Sequence, residues 1–260
     1  MPTEVARLDL HNRRRLTLAY AIGMGLYMLV VIVLYPAFRH SSELNKLASG
    51  KLASLFGVSG PLTSPAGWVN ANAYTNFLPL IMLLLTIGYG AGAIAGQDDD
   101  GTLGLLVVLP LARPRILAQK IAAMVAQALA LAITVTACVY IGRGFELALD
   151  PGNVATASLA VLVLGLDLGL IALAVGAATG SRGAAIGVAT AIAAVSYLVS
   201  SLSPVVTWVR PLRFASVFYW AVDNNQLANG VGLASFAVLI GVAILAALAA
   251  NVAFRRLDVR

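Results

Sequence analysis

Residues 96–120 read GQDDDGTLGLLVVLPLARPRILAQK and separate two long apolar stretches of the chain. Three consecutive acids at 98–100 come first, followed by an apolar run that ends at Pro110 and then by three basic residues. A loop that only joined two membrane helices would not need ordered apolar residues between its acidic and basic ends. We therefore expect this segment to dock onto a component of the cytoplasm.

The composition of the whole chain is that of an integral membrane protein. Of 260 residues, 60% are hydrophobic and only 11% are charged, and the mean hydropathy is +0.90. Soluble domains carry about 25% charged residues. At less than half that share, the charged residues cannot cover the surface of a water-soluble protein of this size.

The net charge of +6 does not indicate nucleic-acid binding. A basic excess is typical of the cytoplasmic loops of membrane proteins, and no basic patch with interleaved aromatic residues is present. The single cysteine, Cys138, excludes an internal disulfide framework and any metal site built from several cysteines.

Six apolar stretches, each of about 20 residues, are long enough to cross a bilayer. They predict an all-α membrane protein that forms a single six-span transmembrane domain over residues 1–260. The spans fall at about 17–38, 77–96, 121–141, 158–178, 184–202 and 233–254.

Three further segments complete this prediction. Residues 1–16 alternate arginines with apolar residues and predict an amphipathic helix at the inner membrane surface. Residues 60–70, GPLTSPAGWVN, predict a break in any helix. Residues 203–232 are too polar and too interrupted to span, so we expect broken helices that enter the outer interface.

The distribution of basic residues predicts the orientation. Eleven of the 17 lysines and arginines fall on the inner side in this arrangement and six on the outer side. The positive-inside rule then places both termini and the 97–120 segment in the cytoplasm.

Asp167 is the one acidic residue inside a predicted span. An aspartate at the bilayer centre costs about 2.5–3.5 kcal/mol on insertion scales, so it normally faces a cavity or a partner. It is a candidate residue of a translocation path, or alternatively a structural polar contact between helices. Gly88, Gly92 and Gly96 recur at four-residue spacing and predict close packing against another helix.

The 97–120 segment also predicts a short helix that lies flat on the cytoplasmic face. The helix would begin at Gly101–Thr102, with acids at its start that favour its dipole, and end at Pro110. Arg113, Arg115 and Lys120 would then extend back to the lipid headgroups. The alternative is a plain surface helix without a partner.

The sequence predicts neither a catalytic site nor a metal site. His11 and His40 fall on opposite sides of the membrane, so they cannot share a metal. A phosphate-binding loop of the form GxxxxGK followed by Ser or Thr does not occur in the sequence. We therefore expect that the chain does not hydrolyse ATP itself.

The 97–120 segment resembles the loop after the second span in membrane subunits of ATP-binding-cassette (ABC) transporters of the type-2, exporter-like family. That family's pattern is close to A-G-E-E-D-x-G-T-L-x-x-L-L-x-x-P-x-S-R-x-x-x-L-x-x-K. Two positions depart from it: Gln97 replaces the usual first acid, and Ala112 replaces the usual serine before Arg113. Weaker similarity extends over essentially the whole chain.

The resemblance implies a permease subunit that pairs with a second permease copy, as a homodimer or a heterodimer, and with two separate ATPase subunits. It also implies that this chain binds no cofactor itself and that the ATPase subunits bind ATP and Mg. The location implied is a bacterial plasma membrane. The loop would contact the ATPase through Gln97, Asp98, Asp99, Asp100, Gly101, Thr102, Leu103, Leu106, Pro110, Arg113, Arg115 and Lys120.

One alternative from another class of protein remains open. The chain would be a stand-alone secondary transporter that uses Asp167 as its proton site. The two halves of the sequence show no obvious inverted repeat, which such transporters often contain.

Overall fold

The computed structural model describes residues 4–41, 61–97, 101, 112–222 and 225–257, and every regular element in these ranges is helical. The α-helices are α1 (Glu4–Phe38), α2 (Pro65–Val69), α3 (Phe77–Ala91), α4 (Arg113–Ile141), α5 (Pro151–Thr179), α6 (Arg182–Leu202), α7 (Val217–Val222), α8 (Gln226–Asn229) and α9 (Leu233–Arg256). Two π-helical turns, Asn70–Tyr74 and Gly92–Gly96, flank α3, and 3-10 turns lie at Gly142–Phe145 and Arg210–Ala215.

Six helical segments in the described part of the chain are long and apolar enough to cross a membrane. This finding confirms the six predicted spans and the all-α class. The segments are Glu4–Phe38, Pro65–Gly96, Arg113–Phe145, Pro151–Thr179, Arg182–Leu202 and Leu233–Arg256.

Helix α5 is the centre of the bundle, and it packs against α3, α4, α6 and α9. Its ends are defined by local sequence: the Asp150 carboxylate accepts a hydrogen bond from the backbone N–H of Asn153, and Pro151 occupies the first turn. Gly180 ends the helix in a left-handed conformation, with φ +62°, which glycine adopts without steric cost. The apolar side chains of α5 are mostly buried, whereas few of those of α9 are buried.

Helix α1 differs from the predicted separate helix at 1–16. It is one continuous helix of 35 residues, which corresponds to about 52 Å, whereas a bilayer core is about 30 Å thick. Neither glycine nor proline occurs between residues 4 and 22, so nothing in the sequence breaks the helix where the apolar stretch begins. Whether its first turns contact the membrane surface stays a prediction.

The predicted break at 60–70 is also corrected. Pro65–Val69 forms α2, because the Ser64 hydroxyl accepts a hydrogen bond from the backbone N–H of Gly67 and Pro65 lies at the first helical position. Serine as N-cap followed by proline is a common way to begin a helix. The same residues that predict a break therefore begin the second span.

The segment before α9 consists of a 3-10 turn and two short helices, α7 and α8, as the prediction of broken helices requires. Trp208 and Phe214 are largely exposed there. The predicted helix of the 97–120 segment cannot be compared in the same way, since residues 98–100 and 102–111 lie outside the described residues.

Candidate functional site

The two ends of the 97–120 segment meet at one end of the helical bundle. Gln97 follows the π-helical turn after α3, and its side-chain oxygen accepts a hydrogen bond from the ammonium of Lys120, at 2.8 Å, in the second turn of α4. The start of α1 and the end of α9 lie at the same end, in contact with α4. Both termini of the bundle and this segment therefore share one side.

Lys120 is fully buried, although lysine is seldom buried without a partner. Its ammonium nitrogen lies 3.4 Å from Asp9 Oδ2, which forms an ion pair in addition to the hydrogen bond to Gln97. The predicted extension of Lys120 to the headgroups is therefore corrected, because the side chain turns into the protein and binds α1.

Asp9 accepts a second hydrogen bond on the same oxygen, from the hydroxyl of Tyr89 on α3, at 2.6 Å. The guanidinium of Arg13 lies 4.9 Å from the centre of the Tyr89 ring, a cation–π contact. We call Asp9, Arg13, Tyr89, Gln97 and Lys120 the Asp9 cluster. It joins α1, α3 and α4, and the Asp9 carboxylate offsets part of the cost of burying the Lys120 ammonium.

The residue before Lys120 also holds α1. The side-chain oxygen of Gln119 accepts hydrogen bonds from the backbone N–H groups of Val5 and Ala6, at 2.9 and 3.3 Å. The first N–H groups of a helix have no partner within the helix, and here a neighbouring helix supplies one. Adjacent residues of α4 thus fix both the backbone and the Asp9 side chain of α1.

Arg113 makes the corresponding contact to the end of α9. Its guanidinium donates to the backbone carbonyl oxygens of Phe254, Arg255 and Leu257, at 3.1, 3.1 and 3.0 Å. The last carbonyl groups of a helix lack partners within the helix, and a positive charge there favours the helix dipole. Arg113 therefore connects the start of α4, which lies within the 97–120 segment, to the last span.

Within the described chain, Gly88, Gly92 and Gly96 do not approach the backbone of another helix, and their packing role stays a prediction. A Cβ added at Gly88 would meet nothing within 4 Å, and one at Gly92 would lie 2.8 Å from Arg13 Nη2. At Gly96 the nearest atom is Arg182 Cδ, at 3.4 Å. The close backbone approach is instead at Gly90, where an added Cβ would clash with the carbonyl oxygen of Gly169 on α5.

The remaining predicted loop residues are placed as follows. Gly101 is exposed and has φ +68°, a left-handed conformation that suits glycine, and Arg115 is exposed in the first turn of α4. The other predicted contact residues lie outside the described residues: Asp98, Asp99, Asp100, Thr102, Leu103, Leu106 and Pro110.

Sequence reasoning missed Asp9, Arg13, Tyr89 and Gln119. One signal was present: Val5, Asp9, Arg13 and Thr17 recur every four residues and so lie on one face of α1, as a helix that packs against a neighbour requires.

Asp167 lies near the middle of α5 and is fully buried. Neither of its carboxylate oxygens has a hydrogen-bond partner among the described residues. On the same helix, Gly165 and Gly169 face Met82 and Thr86 of α3. Asp167 lies two residues from each of these glycines, so it faces away from that interface.

A groove of about 590 Å³ lies between α3 and α6. Most of its wall is apolar, with polar groups at Thr75, Asn76, Thr190 and Tyr197. The hydroxyl of Tyr197 donates to the side-chain oxygen of Asn76, at 3.0 Å, and links the two walls. Gly88 lines this groove, which explains why no atom lies near its missing side chain.

Six apolar helices packed around α5 define the molecule as a multi-pass α-helical membrane protein. A family model described as "ABC-2 family transporter protein" matches residues 3–259, so the chain belongs to the ABC-2 transporter membrane family. No curated protein matches the chain. The protein is therefore a permease subunit of an ABC transporter and is not itself an ATPase, and its family implies association with ABC ATPase subunits and with the membrane.

Proposed function

We propose that this permease is the membrane subunit of an exporter in a bacterial plasma membrane. Two permease copies form the translocation path, and each binds one ATPase subunit through the 97–120 segment. The ATPase subunits bind ATP and Mg, and their cycle switches the permease pair between inward-open and outward-open states. Both termini lie in the cytoplasm.

The observation that carries this proposal is the position of the described residues of the 97–120 segment. Gln97 and Arg113 are held at the end of the bundle where α1 begins and α9 ends. That end collects most of the basic residues, which the positive-inside rule assigns to the cytoplasm. ATPase subunits of an ABC transporter work on that side, so the segment is in reach of them.

The groove between α3 and α6 supports the proposed path. Its apolar wall with a few polar groups suits an amphiphilic or lipophilic cargo better than a strongly hydrated one. Ile186 on α6 and Leu80 and Leu84 on α3 line the groove and are exposed, so the groove opens on the outside of the bundle. A second permease copy placed over this surface would enclose the groove. The direction of transport rests on the family resemblance of the 97–120 segment.

The test reverses the charge of two loop acids. The variant Asp98→Lys with Asp99→Lys should lose the ATPase subunit that copurifies with the wild-type permease, because like charges across an interface cost several kcal/mol. The measurement is the amount of ATPase retained on the purified permease, together with the ATPase rate of the reconstituted complex. An intact complex with an unchanged ATPase rate would contradict the coupling role.

A control adds positive charge at the opposite end of the bundle. Glu146 and Asp150 lie in the link between α4 and α5 and are exposed. The variant Glu146→Lys with Asp150→Asn should retain the ATPase, and its asparagine can still cap the start of α5. Loss of the ATPase in both variants would assign the effect to net charge and would also contradict the coupling role.

Asp167 is buried and has no hydrogen-bond partner in the part of the chain that the structure describes, which favours the second candidate, a proton-coupled transporter. In that case the isolated permease, without any ATPase, would move protons across a vesicle membrane, and Asp167→Asn would abolish this flux. Membership in the ABC-2 family favours the first candidate.

A further inference from the structure

We propose that Asp9 and Lys120 are positioning residues for energy coupling, and that they transmit the position of the 97–120 segment to helix α1. The inference rests on the proposed coupling role of that segment. Neither residue is exposed enough to bind an ATPase directly. They act through the elements that they join.

The geometry shows one ammonium group shared by two elements. Lys120 Nζ lies 2.8 Å from Gln97 Oε1, at the start of the segment, and 3.4 Å from Asp9 Oδ2, on α1. Lys120 itself belongs to the end of the segment. A displacement of Lys120 therefore changes its contact to Asp9 on α1, and a displacement of Gln97 changes the other contact of the same ammonium group. Lys120 is fully buried, so water does not replace either contact. Hydrogen bonds at such a dry site are electrostatically stronger than in water.

Helix α1 is suited to carry that displacement. Its first turn is fixed by Gln119, the neighbour of Lys120, and its 35 residues run without interruption to Phe38 at the far end of the bundle. It packs along the length of α4. A shift at Asp9 therefore moves a rigid element about 50 Å long rather than a local turn.

Stability of the fold is a weak reason for burying a charged pair. A buried ion pair is often no more stabilising than apolar residues of similar volume. Apolar side chains would hold α1 against α4 equally well, but they would give no directional contact to Gln97. In the Asp9 cluster, by contrast, Lys120 has two acceptors, Asp9 Oδ2 on α1 and Gln97 Oε1 at the start of the segment. When one of these two contacts strengthens and the other weakens, the cluster changes its conformational state. An element with discrete arrangements is what coupling between distant sites requires.

The test uses the double variant Asp9→Asn with Lys120→Met in the complex of permease and ATPase. Both charges are removed, so neither is left buried and unpaired. We expect the complex to assemble with a melting temperature near that of the wild type. We expect its ATPase rate to change by a factor between about two and thirty, the range that corresponds to coupling effects of residues outside the binding sites. A purely structural role would lower assembly and melting temperature without this separate change in rate.

The matched control removes one acid and one base from exposed positions at the same end of the bundle. Glu4 and Arg256 are exposed, on α1 and α9. The variant Glu4→Gln with Arg256→Met should keep the wild-type rate. An equal change of rate in the control would overturn the proposal, as would a wild-type rate in the Asp9–Lys120 double variant.

A milder variant covers the case in which the double variant does not assemble. Tyr89→Phe removes the hydroxyl that donates to Asp9 and keeps the ring beneath Arg13. It should change the ATPase rate in the same direction by a smaller factor, and a wild-type rate in Tyr89→Phe would overturn the proposal. Failure of the proposed function is seen separately: it requires that Asp98→Lys with Asp99→Lys leave the ATPase bound and its rate unchanged.

Discussion

Two buried aspartates of this permease have opposite surroundings. Asp9, at the end of the bundle, accepts a hydrogen bond from Tyr89 and pairs with Lys120. Asp167, in the middle of α5, is fully buried and has no hydrogen-bond partner among the described residues. The comparison shows that a buried acidic residue does not have to belong to an ion pair. Asp9 holds three helices together, whereas the region of Asp167 is held by close packing.

The largest effect is expected at the Asp9 cluster. Lys120→Met should lower the free energy of unfolding by about 3–5 kcal/mol, because it leaves the Asp9 carboxylate buried without its cation. The measurement is an SDS titration of the purified permease followed by circular dichroism. Adding Asp9→Asn to Lys120→Met should recover most of the loss, because neither charge is then left buried and unpaired. If the double variant were as unstable as the sum of the single variants, the two residues would not form a pair.

The middle of α5 should respond to volume instead, on the face opposite Asp167, where it meets α3. Gly90→Ala places a methyl group against the backbone carbonyl of Gly169, two residues from Asp167, and should cost about 1–3 kcal/mol as an overpacking substitution. Gly88→Ala is the matched control on the same helix, since no atom lies within 4 Å of its added Cβ. Replacement of a helical glycine by alanine there should stabilise by up to about 1 kcal/mol. The same SDS titration compares the two, and equal costs would contradict the assignment of the contact to Gly90.

These two regions also show what the sequence could predict. The spans follow from apolar stretches that are contiguous in sequence, so all six are confirmed. The pairing of Asp9 with Lys120 joins residues 111 positions apart, and no local pattern encodes which helices become neighbours.

The glycines show a second limit of what the sequence can predict about helix contacts. A four-residue spacing identifies the helix face that carries Gly88, Gly92 and Gly96, but it does not say which neighbour that face meets. The structure turns that face towards the groove and two arginine side chains, while Gly90 meets the backbone of α5. Two residues along a helix are about 200° apart, so the predicted face and the contact face are nearly opposite.

The smallest effect is expected at Asp167, when the same substitution is made in both regions. Asp9→Asn leaves the Lys120 ammonium buried without its counter-charge and should cost about 3–5 kcal/mol, as Lys120→Met does. Asp167→Asn leaves no cation unpaired, since no basic residue lies in contact with it among the described residues. Its cost should stay below about 1 kcal/mol, close to the average for polar contacts between membrane helices. A loss at Asp167 as large as that at Asp9, in the same SDS titration, would mean that Asp167 binds a charged partner in the assembled membrane protein. Because asparagine keeps the volume of aspartate, such a loss could not be assigned to a cavity in α5.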